Sequence, residues 1–399
     1  MLTIRRTKFF GYDLFLLISL TLTIFALAIL IPAFNGTSRE TRYSQKWKVI
    51  LFYTKIFGVR PTSIWSRTSL QSCHVPWCII SDDKELLRDS DAVIFHGRDM
   101  PSVLPTERST NQRWVYFVQE NPHYTSPEPS KYNGVFNWTM TYKRLSDVWV
   151  PYGSYRTILN TSFLSQHDSL AGRWVDRCFT LSSSKIVLRF DCNMAFASLC
   201  LDRNFSAEKT RLVAWASSHC SSPAFLREQY VEQLQLYIPV DVFGKCNPNA
   251  SPCPRGSQQC DALLSSYKFY LAFENGFCED YITEKYWEQA LEHDLVPVVM
   301  GGADYSKLVI PESYINVLDF SSIKSLASYL KALDRNSTAY NEYFHWKKKY
   351  ATEPIVALCK LCGMLHDESL ASKVHWDLGS FWGVKENCMR HSKTINDQI

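Results

Sequence analysis

Glycine-rich phosphate loops are missing from this sequence. Its 15 glycines are scattered, with neither a GxGxxG fingerprint nor a Walker-type loop among them, so simple dinucleotide or ATP binding is not indicated. A marked charge excess is missing too. The 43 Lys and Arg against 39 Asp and Glu leave +4 at pH 7, a mixed solvated surface that gives no case for a nucleic-acid partner. There is no internal repeat, no second CxxC beside Cys359-Lys360-Leu361-Cys362, and no Pro- or Ser-rich stalk. The one Asp-x-Asp, Asp89-Ser90-Asp91, falls where a helix ends before an apolar strand, which disfavours metal binding there. Aromatics at 14% set the chain apart from a disordered one.

What is present begins with an apolar run. Leu14 to Phe34 carries no charge and follows Arg5, Arg6 and Lys8, which predicts a transmembrane signal anchor over 14–34 with a cytosolic tail at 1–13 and the remainder across the membrane. A cleaved signal peptide is disfavoured by the length of the run and by the lack of a small-x-small site. Residues 35–46 read as a short stem. The 13 cysteines fit an oxidising compartment. Cys73 and Cys78 near one end, with Cys359 and Cys362 near the other, admit a zinc site, but disulfides joining the two ends of the globular part are preferred. Sequons at Asn160, Asn204, Asn249 and Asn336 are glycosylation candidates. Asn35 sits too near the membrane, and Asn137 lies in an aromatic run that reads as buried.

Past the stem, short runs rich in Val, Ile, Phe and Tyr recur: 49–53, 92–95, 114–118, 212–215, 240–243, 269–273, 295–300 and 315–318. Runs of this length and composition mark buried parallel strands. The pattern is α/β. The polar, aperiodic stretch 152–209 places a boundary near Phe205, dividing the chain into domains at 47–205 and 206–350 with a cleft between them, and a C-terminal segment, 351–399, that packs back on the first.

The stretch Phe269 to Gly302 is the most informative. A strand runs into Glu274-Asn275-Gly276, and Thr283, a good N-cap by type, opens a helix whose Tyr286, Trp287, Ala290 and Leu291 share a face. In open α/β sheets, ligands bind at strand carboxyl ends, where helix tips favour anions. Lys285 in the first turn opposes the helix dipole unless an anion lies beside it; the bland reading is a solvated lysine paired with Glu284.

The same stretch, YKFYLAFENGFCEDYITEKYWEQALEHDLVPVVMGG, resembles the signature of the α1,3-fucosyltransferases, type II Golgi membrane glycosyltransferases that use GDP-fucose. Other segments match in order: RWVYFVQENP at 113–122 resembles the acceptor-side strand ending in Glu-Ser-Pro, FNWTMTY at 136–142 with Asp147 and Pro151-Tyr152-Gly153 resembles the Asn-Trp-Thr motif, and Val213-Ala214-Trp215 through Cys220 with Arg227 and Tyr230 resembles the opening of the donor domain. The resemblance implies a GT-B fold of two Rossmann-like domains and an inverting transfer of fucose to a hydroxyl, O3 by expectation, of N-acetylglucosamine in a glycoprotein glycan.

By that resemblance Glu120 is the catalytic base, Arg227 and Lys285 hold the diphosphate, and Glu274, Asn275, Tyr281 and Glu284 contact ribose or fucose hydroxyls. No cofactor is then obligatory, while stimulation by a divalent cation and homodimerisation stay open. The chain departs from the family pattern at Gly276 and Asn121, each where serine is usual, at Leu145, and at Ser218-His219. The segment 178–203 fits poorly. The alternative is a catalytically inactive, membrane-anchored glycan-binding or regulatory protein of the same fold.

Overall fold

The computed structural model describes residues 46–65, 70–158, 203–218, 220, 227–247, 253–254, 256–353, 355–388, 395 and 397–399. The expected tail and anchor, almost all of the stem, the segment 178–202, and the candidates Asn160 and Asn249 lie outside them. Among the described residues no helix is long and apolar enough to cross a membrane.

Two parallel sheets organise the chain. The first has six strands, β1 (Lys48–Phe52), β2 (Cys78–Ser81), β3 (Ala92–His96), β4 (Arg113–Val118), β5 (Trp138–Thr141) and β6 (Val148–Trp149), in the order β2-β1-β3-β4-β5-β6. Its core alternates with the pleat: Ile50 and Phe52 pack on one face, Leu51 on the other. The second has β8 (Arg211–Ala216), β9 (Val240–Phe243), β10 (Tyr267–Phe273), β11 (Val296–Met300) and β12 (Ile315–Asn316), ordered β12-β11-β10-β8-β9. All seven residues of β10 are buried. Covered on both faces, such a strand reads as a continuous apolar run, which is why its sequence pattern lacks alternation.

Beside the two sheets, β7 (Ser154–Thr157) and β13 (Tyr350–Glu353) form an antiparallel ribbon that ties the end of the first half to the end of the second. The chain then returns to the first sheet, where helix Ala357–His366 puts Leu358, Leu361 and Cys362 into the core beneath β1. Disulfides Cys73–Cys359 and Cys78–Cys362 fasten it there across sequence separations of 286 and 284. Cys220–Cys246, Cys253–Cys260 and Cys278–Cys388 are also bonded.

The helix after β10 departs from expectation in its winding. Thr283 caps it as expected, its Oγ1 accepting from Lys285 N at 3.5 Å and its carbonyl from Trp287 N at 3.4 Å, while its hydroxyl and amide also donate to Glu274; Lys285–Ala290 is a π-helix, with Leu291 N donating to Tyr286 O and Leu295 N to Ala290 O. A bulky apolar set still faces inward, Tyr286, Trp287 and Ala290 being buried. Widened turns of this kind recur at functional sites.

Candidate functional site

A cavity of about 380 Å³ opens between the sheets, and its walls come from the carboxyl ends of β4, β8, β9 and β10. It brings together Glu120, Arg227, Asn275, Tyr281, Glu284 and Lys285. Only a glycine fits at one corner. Gly244 has φ +85°, and a Cβ there would lie 2.4 Å from the Ser217 carbonyl oxygen.

Glu120 follows β4, its side chain 15% exposed. One oxygen is crowded with donors: Oε1 accepts from the Tyr281 hydroxyl at 2.7 Å, Asn121 N at 3.0 Å, Asn121 Nδ2 at 3.1 Å and Asn275 Nδ2 at 3.3 Å. Two of these donors, Tyr281 and Asn275, come from the loop after β10, so both halves of the molecule hold this carboxylate. Burial pushes the Tyr281 hydroxyl well above its ordinary pKa, which keeps it a proton donor to Glu120. Among the described residues no hydrogen bond reaches Oε2; Arg98 Nη1 stands 4.0 Å from it. The carboxylate therefore keeps one oxygen able to accept a proton.

Glu274 is placed differently from its expected role. At 1% exposed it lies beneath the cavity wall, accepting from Thr283 N at 2.8 Å, Thr283 Oγ1 at 2.8 Å and Lys285 Nζ at 3.1 Å. It supports Lys285 and Thr283 from behind. Burial pushes the Glu274 carboxyl up, against the pull of Lys285. Burial works on the Lys285 ammonium in the opposite sense, and the charges of Glu274 and Glu284 outweigh it, holding Lys285 above its ordinary value and charged. The remaining Lys285 contacts are Thr283 Oγ1 at 2.8 Å and Glu284 Oε1 at 3.4 Å.

Arg227 lies in helix Arg227–Gln235 and is 2% exposed. Its Nε donates to Glu228 at 3.2 Å, its Nη1 to the Phe273 carbonyl at 3.4 Å, and the guanidinium lies over Trp215. A buried cation and a charged ammonium thus line the same cavity as Glu120.

Asp91 is spent elsewhere. It opens β3 at the end away from the cavity and accepts from Lys48 Nζ and Val49 N. Asn137, buried, is bonded to Trp114 and Lys373, while Asn204 and Asn336 are exposed. Cys73, Cys78, Cys359 and Cys362 are held in the disulfides described above rather than as a zinc set. Two cavity neighbours went unread in the sequence: Asn121, noticed only as a departure, and Arg98. The rule that ligands gather at strand carboxyl ends would have found Arg98, two residues past β3.

A carboxylate that follows a strand of one sheet and two cations from the other half line one cavity at strand carboxyl ends, an arrangement suited to taking a proton from one group and stabilising an anionic leaving group. A profile for the fucosyltransferase N-terminal domain matches residues 45–153, and one for glycosyltransferase family 10 (fucosyltransferase), C-terminal domain, matches 206–381. Alpha-(1,3)-fucosyltransferase C of Drosophila melanogaster is 33% identical over 360 residues, covering 86% of this chain and 80% of that protein. A human 4-galactosyl-N-acetylglucosaminide 3-alpha-L-fucosyltransferase is 36% identical over 302 residues, 73% and 72% of the two chains. The chain belongs to glycosyltransferase family 10, the fucosyltransferases. A crystal structure of an alpha1,3-fucosyltransferase with GDP-fucose aligns with TM-score 0.49 at 17% identity, covering 82% of this chain and 93% of that one.

Proposed function

We propose that the chain is an inverting α1,3-fucosyltransferase of GT-B type that moves L-fucose from GDP-fucose to O3 of N-acetylglucosamine in a glycoprotein glycan. The observation that carries this reading is the convergence of Glu120, Arg227 and Lys285 on one cavity between two parallel sheets. The domain division at 47–205 and 206–350 gives each sheet to one half, acceptor side first and donor side second.

In this reading Glu120 Oε2 takes the proton of the attacking hydroxyl while fucose leaves the β-phosphate with inversion. Arg227 and Lys285 stabilise the charge that develops on departing GDP. Lys285 engages the diphosphate by exchanging its longest contact, that to Glu284 at 3.4 Å, and keeps Glu274 and Thr283 as supports. The relatives named for transfer to the 3-position of N-acetylglucosaminides support the acceptor. The apolar run 14–34 behind a basic tail supports a single-pass type II anchor with the catalytic part in the Golgi lumen.

The test is transfer by the purified chain from GDP-fucose to a panel of N-glycan and N-acetyllactosamine acceptors, with and without EDTA, followed by product mass. Addition of one deoxyhexose to an N-acetylglucosamine-bearing acceptor is expected. Binding of GDP without transfer to any member would favour the non-catalytic alternative.

A further inference from the structure

Two positions where this chain departs from the family pattern, Asn121 and Gly276, are far apart in sequence and touch in space. A Cβ on Gly276 would fall 2.8 Å from both Cγ and Nδ2 of Asn121 and 3.0 Å from its Oδ1, closer than side chains approach one another. Nor is the carboxamide free to swing aside. Asn121 is 0% exposed; its Nδ2 donates to Glu120 Oε1 at 3.1 Å and to Asn275 Oδ1 at 3.0 Å, and its Oδ1 accepts from His123 N at 3.1 Å. Both amide hydrogens are committed, so displacing the group leaves buried polar atoms without partners.

We propose that Asn121 is a positioning residue for Glu120, and that position 276 is glycine in this chain because the Asn121 carboxamide fills the volume a side chain there would need. The proposal rests on Glu120 being the base. Asn121 gives Glu120 Oε1 two of its four donors, one from the backbone and one from the side chain. Together with Asn275 and Tyr281 they oppose rotation of the carboxylate, so that Oε2 stays the proton-accepting oxygen. The Asn121–Asn275 bond then links the orientation of the base to the donor-side loop. Holding a reacting group within a narrow angular range is worth a large factor in rate, and small misplacements are correspondingly expensive.

The test is a double-mutant cycle on the full chain, measuring kcat, KM for GDP-fucose and acceptor, GDP affinity by calorimetry, and melting temperature. Gly276→Ser pushes the carboxamide off Glu120 and is expected to lower kcat about tenfold or more with GDP affinity within about twofold. Asn121→Ser lowers kcat as well, because one hydroxyl replaces two amide donors. The double variant recovers most of the kcat lost by Gly276→Ser, since the shorter side chain at position 121 vacates the contested volume and offers its own hydroxyl to Glu120. A double variant no faster than Gly276→Ser, or GDP affinity falling in step with kcat, overturns the proposal. Should Gly276→Ser not fold, Asn121→Ala decides, having no clash and no side-chain donor; wild-type kcat in that variant sinks the positioning role. Appreciable transfer by Glu120→Gln would instead remove the base assignment itself, which separates failure of that reading from failure of this one.

Discussion

The residues of the cavity divide into those that meet solvent and those that hold them. Glu274 belongs to the second group, and its nearly complete burial makes Lys285 a structural counterion as well as a candidate phosphate ligand. Removing one partner of a buried ion pair leaves the other charge without compensation and costs about 3 to 5 kcal/mol. Lys285→Ala is therefore expected to lose stability on that order in denaturant unfolding and to weaken GDP binding together. Arg227→Ala should weaken GDP binding with the larger part of its effect in affinity. If Lys285→Ala unfolds at the wild-type denaturant midpoint, Glu274 is not relying on it.

The π-helix after β10 touches the first half as well. Gly153 lies against Trp287, and a Cβ there would come within 2.3 Å of the indole. Trp287 is 6% exposed and leaves little room for retreat. Gly153→Ala should force the ring aside and cost about 1 to 3 kcal/mol by overpacking, read as a lower melting temperature with reduced transfer. An unchanged melting temperature would show that the helix gives way easily.

Elements differ in how plainly the sequence discloses them. The apolar runs read as strands coincide with β1, β3, β4 and β8 to β11, because burial leaves a strong signal in composition, while the run 315–318 is strand only at Ile315–Asn316 and turns into a 3-10 helix at Val317. The ribbon strands β7 and β13 were not legible: Ser-Tyr-Arg-Thr and Tyr-Ala-Thr-Glu are part-buried or exposed and polar, and only tertiary pairing makes them strands. Thr283 shows what local rules see and miss. Its capping of the helix follows from residue type, whereas the donation of its hydroxyl and amide to the buried carboxylate of Glu274 is a tertiary contact no local rule anticipates. Likewise the strand-end rule could point to Glu120 and Lys285, but not to the contact of Asn121 with Gly276, residues in different halves of the chain that are joined only by the approach of the two sheets.

Over the whole molecule, the C-terminal segment closes the first sheet. Asp147, between β5 and β6, accepts from Thr139 N at 2.9 Å and pairs with His375 Nε2 at 2.8 Å and with Lys373. Burial alone would raise this carboxyl, but the bonds from His375, Lys373 and Thr139 prevail and hold it at about 2, below the usual 3.8. A folded pKa below the unfolded one gives stability that is complete above the unfolded value and lost as pH falls through the folded one. Equilibrium unfolding should therefore show a loss of about 2 kcal/mol attributable to this group between about pH 5 and pH 2. Asp147→Asn should lack that component, being weaker at neutral pH and less sensitive to acid. Parallel acid curves for the two proteins would contradict the role given to the Asp147 cluster.

The central claim is that the cavity between the sheets performs transfer with Glu120 as base. Its most direct test is fucose transfer by Glu120→Gln at saturating GDP-fucose, measured beside GDP affinity of the same variant. Transfer is expected to fall by about a hundredfold or more with GDP affinity essentially that of the wild type, since the cations on the donor side are untouched. Retained transfer, or transfer and GDP affinity lost together, would contradict the account.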